Sequence, residues 1–276
     1  MTSQVFIASY AKDFCWLIHC LGSLKRFASG FLHPVVCVAS EDYDGAVRIV
    51  AQSYPEARVV IRDGREGQGF MRAQIAMMRA DELCPEADFI FLLGSDCLAT
   101  CRFTPVEYFT TDGKPAMLFS SYESLKSVHS DTFPWQTGVN RILGFKPVNE
   151  YMRRLPIVYP RALFPSMRSF IEARHGKDFD DFIYSDDVLN LNTSESNLLG
   201  AYAHRYMPSL YYWVDIAEAG MHGVQVKGWP NVVCQFWSHG GLDLPTDRMF
   251  HYGFGKMTIG RTPREIINEI LYGNMT

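Results

Sequence analysis

The segment from residue 88 to residue 100 carries the strongest indication of chemistry in this sequence. The apolar run Asp88–Leu93 predicts a buried strand, and Asp96 follows shortly after its end. A carboxylate at that place suits Mg²⁺ or Mn²⁺, because these hard cations take oxygen ligands and keep few protein contacts. Such an ion also holds the diphosphate of a nucleotide. The alternative for Asp96 is a surface turn or cap residue, since Asp is common at both.

A second segment places a histidine beside flexible backbone. The apolar run Val233–Ser238 predicts the end of a strand, and His239 follows with Gly240 and Gly241 behind it. Two glycines let the backbone approach a ligand closely. A lone histidine is more often structural, so its role depends on what lies around it.

Strands and helices alternate through the first 120 residues and would position these side chains. Short apolar runs predict strands at 5–9, 34–39, 58–61 and 88–93. Apolar residues at helical spacing predict helices after Asp13, after Asp44 and over 68–84. Continuous apolar strands between helices indicate an α/β fold with a mostly parallel sheet covered on both faces.

In such a sheet, ligands bind beyond the carboxyl ends of the strands. That rule selects Ala8–Tyr10, Ala39–Asp42 and Gly94–Cys97 as the segments that form a site.

The second half of the chain is less regular and predicts an irregular lobe built onto the sheet. Capping-box patterns begin at Thr104 and Thr262, and the second opens a C-terminal helix. Short helices are predicted near 161–174 and 194–206. Strands are predicted near 209–214 and 231–237, and the segment around Trp135 is predicted to be rich in turns.

The run FIFLLGSDCLA at 89–99 resembles the metal-binding strand of GT-A glycosyltransferases. Asp96 stands at the second acidic position of their Asp-x-Asp motif, with Ser95 before it and Gly94 at the first position. The resemblance implies a GT-A-like nucleotide-binding sheet. It also implies that Asp96 takes part in catalysis by holding the ion, together with the diphosphate and a histidine. His239 is the matching histidine, because many enzymes of this family place one on the metal near the C-terminus.

The run Gly67–Gln74 resembles the aromatic-x-Arg-x-Gln helix start of several bacterial and phage families of this class. The resemblance implies donor-binding roles for Arg72 and Gln74. Arginine offers a fork of donors to a diphosphate, and glutamine pairs with polar sugar or base edges. A solvated helix face is the alternative for both residues.

The run Ser194–Tyr202 resembles the helix that faces the acceptor in these enzymes. Glu195 is then the candidate catalytic base of an inverting transfer, which needs a carboxylate within reach of the acceptor hydroxyl. The alternative is a first-turn glutamate favoured by the helix dipole. In a retaining reaction Glu195 would have another role or none.

The resemblance also implies a donor pocket around the first strand. Tyr10 would stack on the nucleobase, and Trp135 would bound the sugar pocket. The remaining donor-binding candidates are Ala8, Ser9, Asp13 and Ser95.

The function expected from this resemblance is metal-assisted transfer of a sugar from a nucleotide-diphosphate sugar, with a UDP-sugar as the expected donor. A single domain over 1–276 would divide into a donor-binding half (1–120) and an acceptor half (121–276). The acceptor is either a glycan or lipid-linked sugar, or a hydroxymethylated base in DNA. DNA would need a basic groove, despite the net charge of -4. Candidates to line one are Lys12, Lys25, Arg26, Arg153, Arg154, Arg161 and Arg168.

Two other functions share this fold class. A nucleotidyltransferase normally carries a glycine-rich loop with a basic residue, which is absent after Ser9. An inactive sugar-nucleotide-binding protein would account for Gly94. The P-loop, the Rossmann glycine fingerprint, the nucleophile elbow and HExxH are all absent from the sequence.

The sequence also predicts a location for the protein. Its start lacks the pattern of a signal peptide, and no apolar run is long enough for a membrane span. Its seven cysteines include no CxxC pair. We therefore expect a cytoplasmic protein without integral membrane association.

Overall fold

The structure is a computed structural model that describes residues 1–64, 69–126, 133–189, 191, 193–216, 230, 232–236, 238–244 and 260–273. Its centre is a five-stranded sheet of order β3-β2-β1-β4-β8. The strands are β1 (Ser3–Ala8), β2 (Leu32–Val38), β3 (Arg58–Ile61), β4 (Phe89–Gly94) and β8 (Ile157–Pro160). The first four run parallel, and β8 pairs antiparallel with β4. The predicted α/β class with a mostly parallel sheet is confirmed.

Alternate residues of the central strands enter two separate cores, one on each face of the sheet. Ile7 of β1 lies opposite Val36 on β2 and Leu93 on β4, and all three belong to one core. Phe6 and Leu92 belong to the other. Because both faces are buried, the strands are apolar at nearly every position, and this produces the continuous apolar runs seen in the sequence.

Helices from both halves of the chain cover these two faces. The core that contains Ile7 is closed by α1 (Phe14–Phe27) and α2 (Tyr43–Ser53). The opposite core is closed mainly by three helices from different parts of the chain: α3 (Gly69–Met78), α7 (Leu163–His175) and α10 (Glu195–Tyr206).

Two smaller sheets and six further helices complete the described fold. The smaller sheets have the orders β10-β5 and β7-β6-β9. Their strands are β5 (Cys97–Ala99), β6 (Ala116–Ser121), β7 (Asn149–Glu150), β9 (Tyr212–Asp215) and β10 (Val233–Gln235). The helices are α4 (Ala80–Leu83), α5 (Tyr122–Leu125), α6 (Phe133–Leu143), α8 (Phe179–Ile183), α9 (Asp186–Leu189) and α11 (Pro263–Tyr272).

The predicted elements of the first half agree with the structure, with one correction. The four predicted strands match β1–β4 to within two residues at either end. The helix predicted over 68–84 is wrong as a single element, because Arg79 adopts φ -121° and ψ 20° between α3 and α4. The Arg79 guanidinium donates to Asp180 on α8 over 2.8 Å. This contact is distant in sequence and leaves no trace in the local pattern.

The second half shows both agreement and error. The helices predicted near 161–174 and 194–206 are α7 and α10, and the capping box at Thr262 opens α11 as expected. The turn-rich segment predicted around Trp135 is instead the helix α6. No strand is predicted at 157–160, because four buried residues are too few to show a period, yet β8 lies there. In the described part of the chain, no helix has the length and apolarity needed to cross a bilayer.

Two glycines inside helices make a matched test of this packing. A Cβ added at Gly200 on α10 would lie 2.4 Å from Cγ of Tyr151, whereas a Cβ at Gly22 on α1 meets nothing within 4 Å. We expect Gly200→Ala to lower the free energy of unfolding by about 1–3 kcal/mol through overpacking. Gly22→Ala should raise it by about 0.5–1 kcal/mol, since alanine favours the helix. Urea denaturation of both variants measures this, and equal effects would contradict the close approach of α10 to Tyr151.

Candidate functional site

A cleft of about 620 Å³ lies at the carboxyl ends of the parallel strands. We call it the strand-end cleft. Residues that follow β1, β2 and β3 line it, together with one face of α3 and Ser238. Its lining consists of Ala8, Ser9, Tyr10, Asp13, Cys37, Val38, Ala39, Glu41, Asp42, Arg62, Arg72, Ala73, Ala76 and Ser238. The site therefore lies where the sheet topology places ligands in this fold class.

The segment after β1 brings four of the predicted donor-site residues together. Ala8, Ser9, Tyr10 and Asp13 all line the strand-end cleft. The Ser9 side chain is 8% exposed, and its hydroxyl has no hydrogen-bond partner among the described residues. A buried hydroxyl without a partner costs free energy, so such a group at the wall of a cleft is suited to a ligand.

Asp13 connects this segment to the end of β4. The buried Ser95 hydroxyl donates to Oδ2 of Asp13 over 3.1 Å. The pKa of the Tyr10 phenol is raised by partial burial, by the charge of Asp13 and by a hydrogen bond to that carboxylate. Ser95 thus lies behind the cleft wall and orients a carboxylate that faces the cleft.

Asp96 lies between the end of β4 and the turn at 238–240. Its Oδ2 accepts a hydrogen bond from the backbone N–H of Ser238 over 3.3 Å, and its carbonyl accepts one from the N–H of Phe236 over 2.9 Å. A Cβ built on Gly94 would lie 2.6 Å from Oδ1 of Asp96. The Asp96 carboxylate thus lies in space that glycine at residue 94 leaves open.

The Asp96 carboxyl has a strongly perturbed acidity. Burial raises its pKa, the negative charge of Asp13 raises it further, and the result is about 7. Hydrogen bonds from the Ser238 N–H and from the Gln235 side chain act in the opposite direction. The negative charges of Asp13 and Asp96 repel each other, and a bound cation would offset this repulsion.

Arg72 lies on the α3 side of the cleft and pairs with Glu41 on the β2 side. The hydrogen bond from Arg72 lowers the pKa of Glu41, after the larger effect of a backbone N–H. The Glu41 side chain is 58% exposed, whereas that of Arg72 is 17% exposed. A phosphate entering the cleft competes with an exposed carboxylate for this guanidinium, and such a pair contributes little to stability.

Three charged cleft residues, Glu41, Asp42 and Arg62, were not among the predicted site residues, although the strand-end rule had selected the segment that holds the first two and reaches the third. Asp42 follows β2, and its Oδ2 accepts a hydrogen bond from the N–H of Ala11 over 3.1 Å. Arg62 follows β3 directly, and its Nη2 donates to Oδ2 of Asp180 over 2.6 Å. Applying the rule to all four strands, including β3, would have selected Arg62.

Gln74 and Glu195 contact each other but do not belong to the described lining of the cleft. Oε1 of Gln74 accepts a hydrogen bond from the backbone N–H of Glu195 over 2.6 Å. The Glu195 carboxylate accepts one from Ser196 over 2.7 Å, and burial raises its pKa. Glu195 is 7% exposed and is the first residue of α10. This position favours the alternative of a helix-terminal glutamate, and the donor-site role of Gln74 remains a prediction.

The other predicted site residues fall in different places. Trp135 is partly buried on α6 and is not part of the described cleft lining. His239 belongs to the turn at 238–240, so its backbone lies beside Asp96, but its side chain is outside the described residues. Gly67 and Gln68 also lie outside them. The metal-binding role of His239 therefore stays a prediction.

The predicted basic groove for DNA is corrected at three positions. Arg153, Arg154 and Arg168 are buried, at 2%, 3% and 7% exposure. Arg153 pairs with Glu150, Arg168 binds Asp81 with both terminal nitrogens, and Arg154 donates to a backbone carbonyl. Buried arginines held in this way are structural. The predicted groove retains Lys12, Lys25, Arg26 and Arg161, which are exposed.

The described side chains include no group of three or more His, Cys, Asp or Glu residues arranged to hold a metal ion. Asp96 and Asp13 are two carboxylates within electrostatic range of each other, since the charge of Asp13 raises the pKa of Asp96. Mg²⁺ commonly needs only one or two protein carboxylates when the phosphates of its substrate supply further oxygens. The donor set present fits such an ion only together with a bound phosphate ligand.

Comparison with known proteins adds no relative to this description. No protein-family model and no curated protein sequence matches the chain.

The raised pKa of Asp96 predicts how stability depends on pH. An unfolded aspartate titrates near pH 4, whereas the folded carboxyl titrates at about 7. Between these values the folded state binds the extra proton, so its stability is highest below about pH 4 and declines as pH rises through 7. We expect Asp96→Asn to remove this decline and to raise the free energy of unfolding at pH 8 by roughly 1–3 kcal/mol.

Urea denaturation of both proteins from pH 5 to pH 8 measures the difference. Asp112→Asn, at an exposed loop carboxylate bonded to Thr110, is the control and should keep the wild-type pH profile. Parallel profiles for wild type and Asp96→Asn would show that Asp96 titrates normally.

Proposed function

We propose that this protein is a metal-assisted glycosyltransferase of the GT-A type that binds a nucleotide-diphosphate sugar in the strand-end cleft. The observation that carries the proposal is the position of the Asp13 and Asp96 carboxylates at the carboxyl ends of β1 and β4, where one raises the pKa of the other. This arrangement supports a site for a cation and a phosphate ligand. The same segment resembles the metal-binding strand of that family.

The size and lining of the cleft support a nucleotide-sized ligand. Its volume of about 620 Å³ lies within the usual range for small-molecule sites. The unpartnered Ser9 hydroxyl and the Tyr10 ring provide a polar contact and an aromatic face at the end of β1. Three carboxylates, Asp13, Glu41 and Asp42, also line the cleft.

That acidic lining makes a cation part of the proposal. The lining carries three carboxylates against two guanidinium groups, those of Arg62 and Arg72, and a bound cation would offset the excess negative charge for a diphosphate. Asp96 and Asp13 would hold Mg²⁺ or Mn²⁺, with His239 as the histidine that the sequence predicts. A bound ion of this kind stabilises the charge of a departing nucleoside diphosphate.

The chain's own side chains have separable tasks in this proposal. Ser95 fixes the orientation of the Asp13 carboxylate through its hydrogen bond. Arg72 exchanges Glu41 for the diphosphate, which gives the guanidinium a doubly charged partner in place of an exposed carboxylate. Tyr10 faces the cleft where the base of the nucleotide would stack.

The acceptor side rests on the resemblance alone. Glu195 would act as general base only if its buried carboxylate became accessible to an acceptor hydroxyl. A glycan, a lipid-linked sugar and a hydroxymethylated DNA base remain the candidate acceptors. A nucleotidyltransferase and an inactive sugar-nucleotide-binding protein remain the alternative functions, and donor hydrolysis separates the second from an enzyme.

Ligand-induced stabilisation tests the donor site directly. We expect one family among UDP-, GDP-, ADP- and CMP-sugars to raise the melting temperature in the presence of Mn²⁺, with a UDP-sugar as the expected ligand. At a ligand concentration 100 times the Kd, linkage gives about 2.7 kcal/mol, which corresponds to a rise of roughly 5 °C for a chain of this length. Asp96→Asn should abolish the Mn²⁺-dependent part of this rise, and Asp112→Asn should leave it unchanged.

Slow Mn²⁺-dependent hydrolysis of the stabilising sugar nucleotide would support an enzyme over a binding protein. If no nucleotide sugar stabilises the folded wild-type protein with or without Mn²⁺, the proposed function is wrong. If the Mn²⁺-dependent rise in melting temperature persists in Asp96→Asn, this carboxylate does not hold the ion and the proposed ion site is wrong.

A further inference from the structure

Two arginines from different helices lie side by side on the face of the molecule opposite α1 and α2. The guanidinium of Arg174, in the last turn of α7, occupies the space beside Gly144, because a Cβ built on that glycine would overlap it. The guanidinium of Arg205, in the last turn of α10, lies 4.6 Å from the centre of the Phe145 ring. Both arginines therefore cover the segment that directly follows α6.

Aromatic rings and two lysines extend this surface. The ring centres of Phe145 and Tyr206 are 6.0 Å apart, and those of Tyr206 and Phe170 are 4.9 Å apart. Tyr206 is 44% exposed, so its ring is accessible from solvent, whereas Phe145 and Phe170 are partly buried. Lys146 and Lys177 are exposed and follow Phe145 and the C-cap of α7. We call this set the basic aromatic patch, and its members are Phe145, Lys146, Phe170, Arg174, Lys177, Arg205 and Tyr206.

The positive charge of the patch is not neutralised by ion pairs. Among the described residues, no carboxylate lies within salt-bridge distance of its four cations, whereas the neighbouring Arg141 pairs with Asp187 over 3.3 Å. Two carboxylates nearby in the chain, Glu172 and Asp178, accept backbone N–H groups at the start of α8. The patch is thus a positively charged area on a chain whose net charge is -4.

Helix capping accounts for only part of this charge. The partial negative charge at a helix C-terminus favours cations in the last turn, which is where Arg174 and Arg205 lie. Lys146 and Lys177 lie beyond the ends of α6 and α7, where this effect has fallen off. Stacking on Phe145 also leaves the N–H edges of the Arg205 guanidinium accessible to phosphate oxygens.

An anionic membrane surface complements both parts of the patch. Lysine and arginine are attracted to anionic headgroups, at about fivefold in binding for each cation near the surface. Tyrosine is enriched at the headgroup level, and apolar side chains such as phenylalanine enter the boundary beneath it. Duplex DNA would attract the same cations, but contacts to its phosphates make no use of phenylalanine rings. The aromatic half of the patch therefore favours the membrane.

We propose that the basic aromatic patch docks this protein peripherally on an anionic lipid bilayer. Its cations would bind lipid phosphates, and Tyr206 would lie among the headgroups. The inference goes beyond the proposed function and does not depend on it, because the patch shares no residue with the strand-end cleft. If the proposed function holds, docking of this kind favours the lipid-linked sugar among the candidate acceptors.

Co-sedimentation with lipid vesicles tests the docking surface. Wild type should bind vesicles of phosphatidylserine and phosphatidylcholine in equal parts, and should not bind vesicles of phosphatidylcholine alone. Arg174→Gln/Arg205→Gln should bind the mixed vesicles about 25-fold more weakly, at about fivefold for each charge. The control Lys25→Gln/Arg48→Gln removes two exposed cations from α1 and α2 on the opposite face. It should bind within about twofold of wild type, because salt screens distant charges.

A conservative variant separates loss of charge from loss of folding. Arg174→Lys/Arg205→Lys keeps both charges and should retain most of the vesicle binding. The melting temperatures of all these variants should match that of wild type, since exposed charges contribute little to stability. If the lysine pair binds as weakly as the glutamine pair, charge does not drive binding and the inference is wrong.

The remaining outcomes each decide the inference. If wild type binds neither kind of vesicle, or binds both equally, anionic lipid is not recognised and the inference is wrong. If the glutamine pair binds the mixed vesicles as well as the control pair does, the patch is not the docking surface. Titration with labelled duplex DNA gives the last outcome: if wild type binds DNA and not vesicles, and the glutamine pair loses DNA binding, the patch serves nucleic acid. No nucleotide is present in these measurements, so their failure leaves the proposed function standing.

Discussion

The parallel pairing of β1 with both β2 and β4 is the constraint on which the rest of this structure depends. It places the ends of β1 to β4 along one edge of the sheet, and both faces of these strands are covered by apolar cores. Polar side chains that follow the strands therefore gather at that edge, where their backbone remains accessible. Ser9, Asp42 and Arg62 follow β1, β2 and β3 and line one cleft. Asp96 follows β4 and lies outside the described lining, but its charge acts on Asp13 at the cleft wall.

Charge is distributed unevenly along this edge. Arg62 is bound to Asp180 and Arg72 is bound to Glu41, so the cationic groups of the cleft already have carboxylate partners. At the β4 end the negative charges of Asp13 and Asp96 repel each other, and burial together with this repulsion raises the pKa of Asp96 to about 7. The β4 end is consequently suited to a cation.

The sequence predicted the first half of the fold closely and the second half only in part. β1, β2 and β4 are buried on both faces over most of their length, so their apolar runs predicted them; β3 was predicted from the short apolar run at 58–61, although its two end residues are exposed. β8 was not, because it has four residues and its partner β4 lies more than 60 residues earlier in the chain. The break at Arg79 was also hidden, because the local pattern does not show that the Arg79 side chain binds Asp180, 101 residues away.

The candidate site was likewise predictable only in part. Asp96, Ser9, Tyr10 and Asp13 could be predicted because the strand-end rule needs only local sequence, and Arg62 lay within the reach of that rule. The burial of Glu195, with its hydrogen bonds to Gln74 and Ser196, depends on the packing of α10 against α3.

Whether one cleft holds both ion and nucleotide, as we propose, is decided by a crystal structure with Mn²⁺ and the stabilising nucleotide. We expect an anomalous manganese peak between Asp96 and Asp13 with the nucleotide in the strand-end cleft; a peak away from these two carboxylates, or a nucleotide outside the cleft, would contradict the proposal.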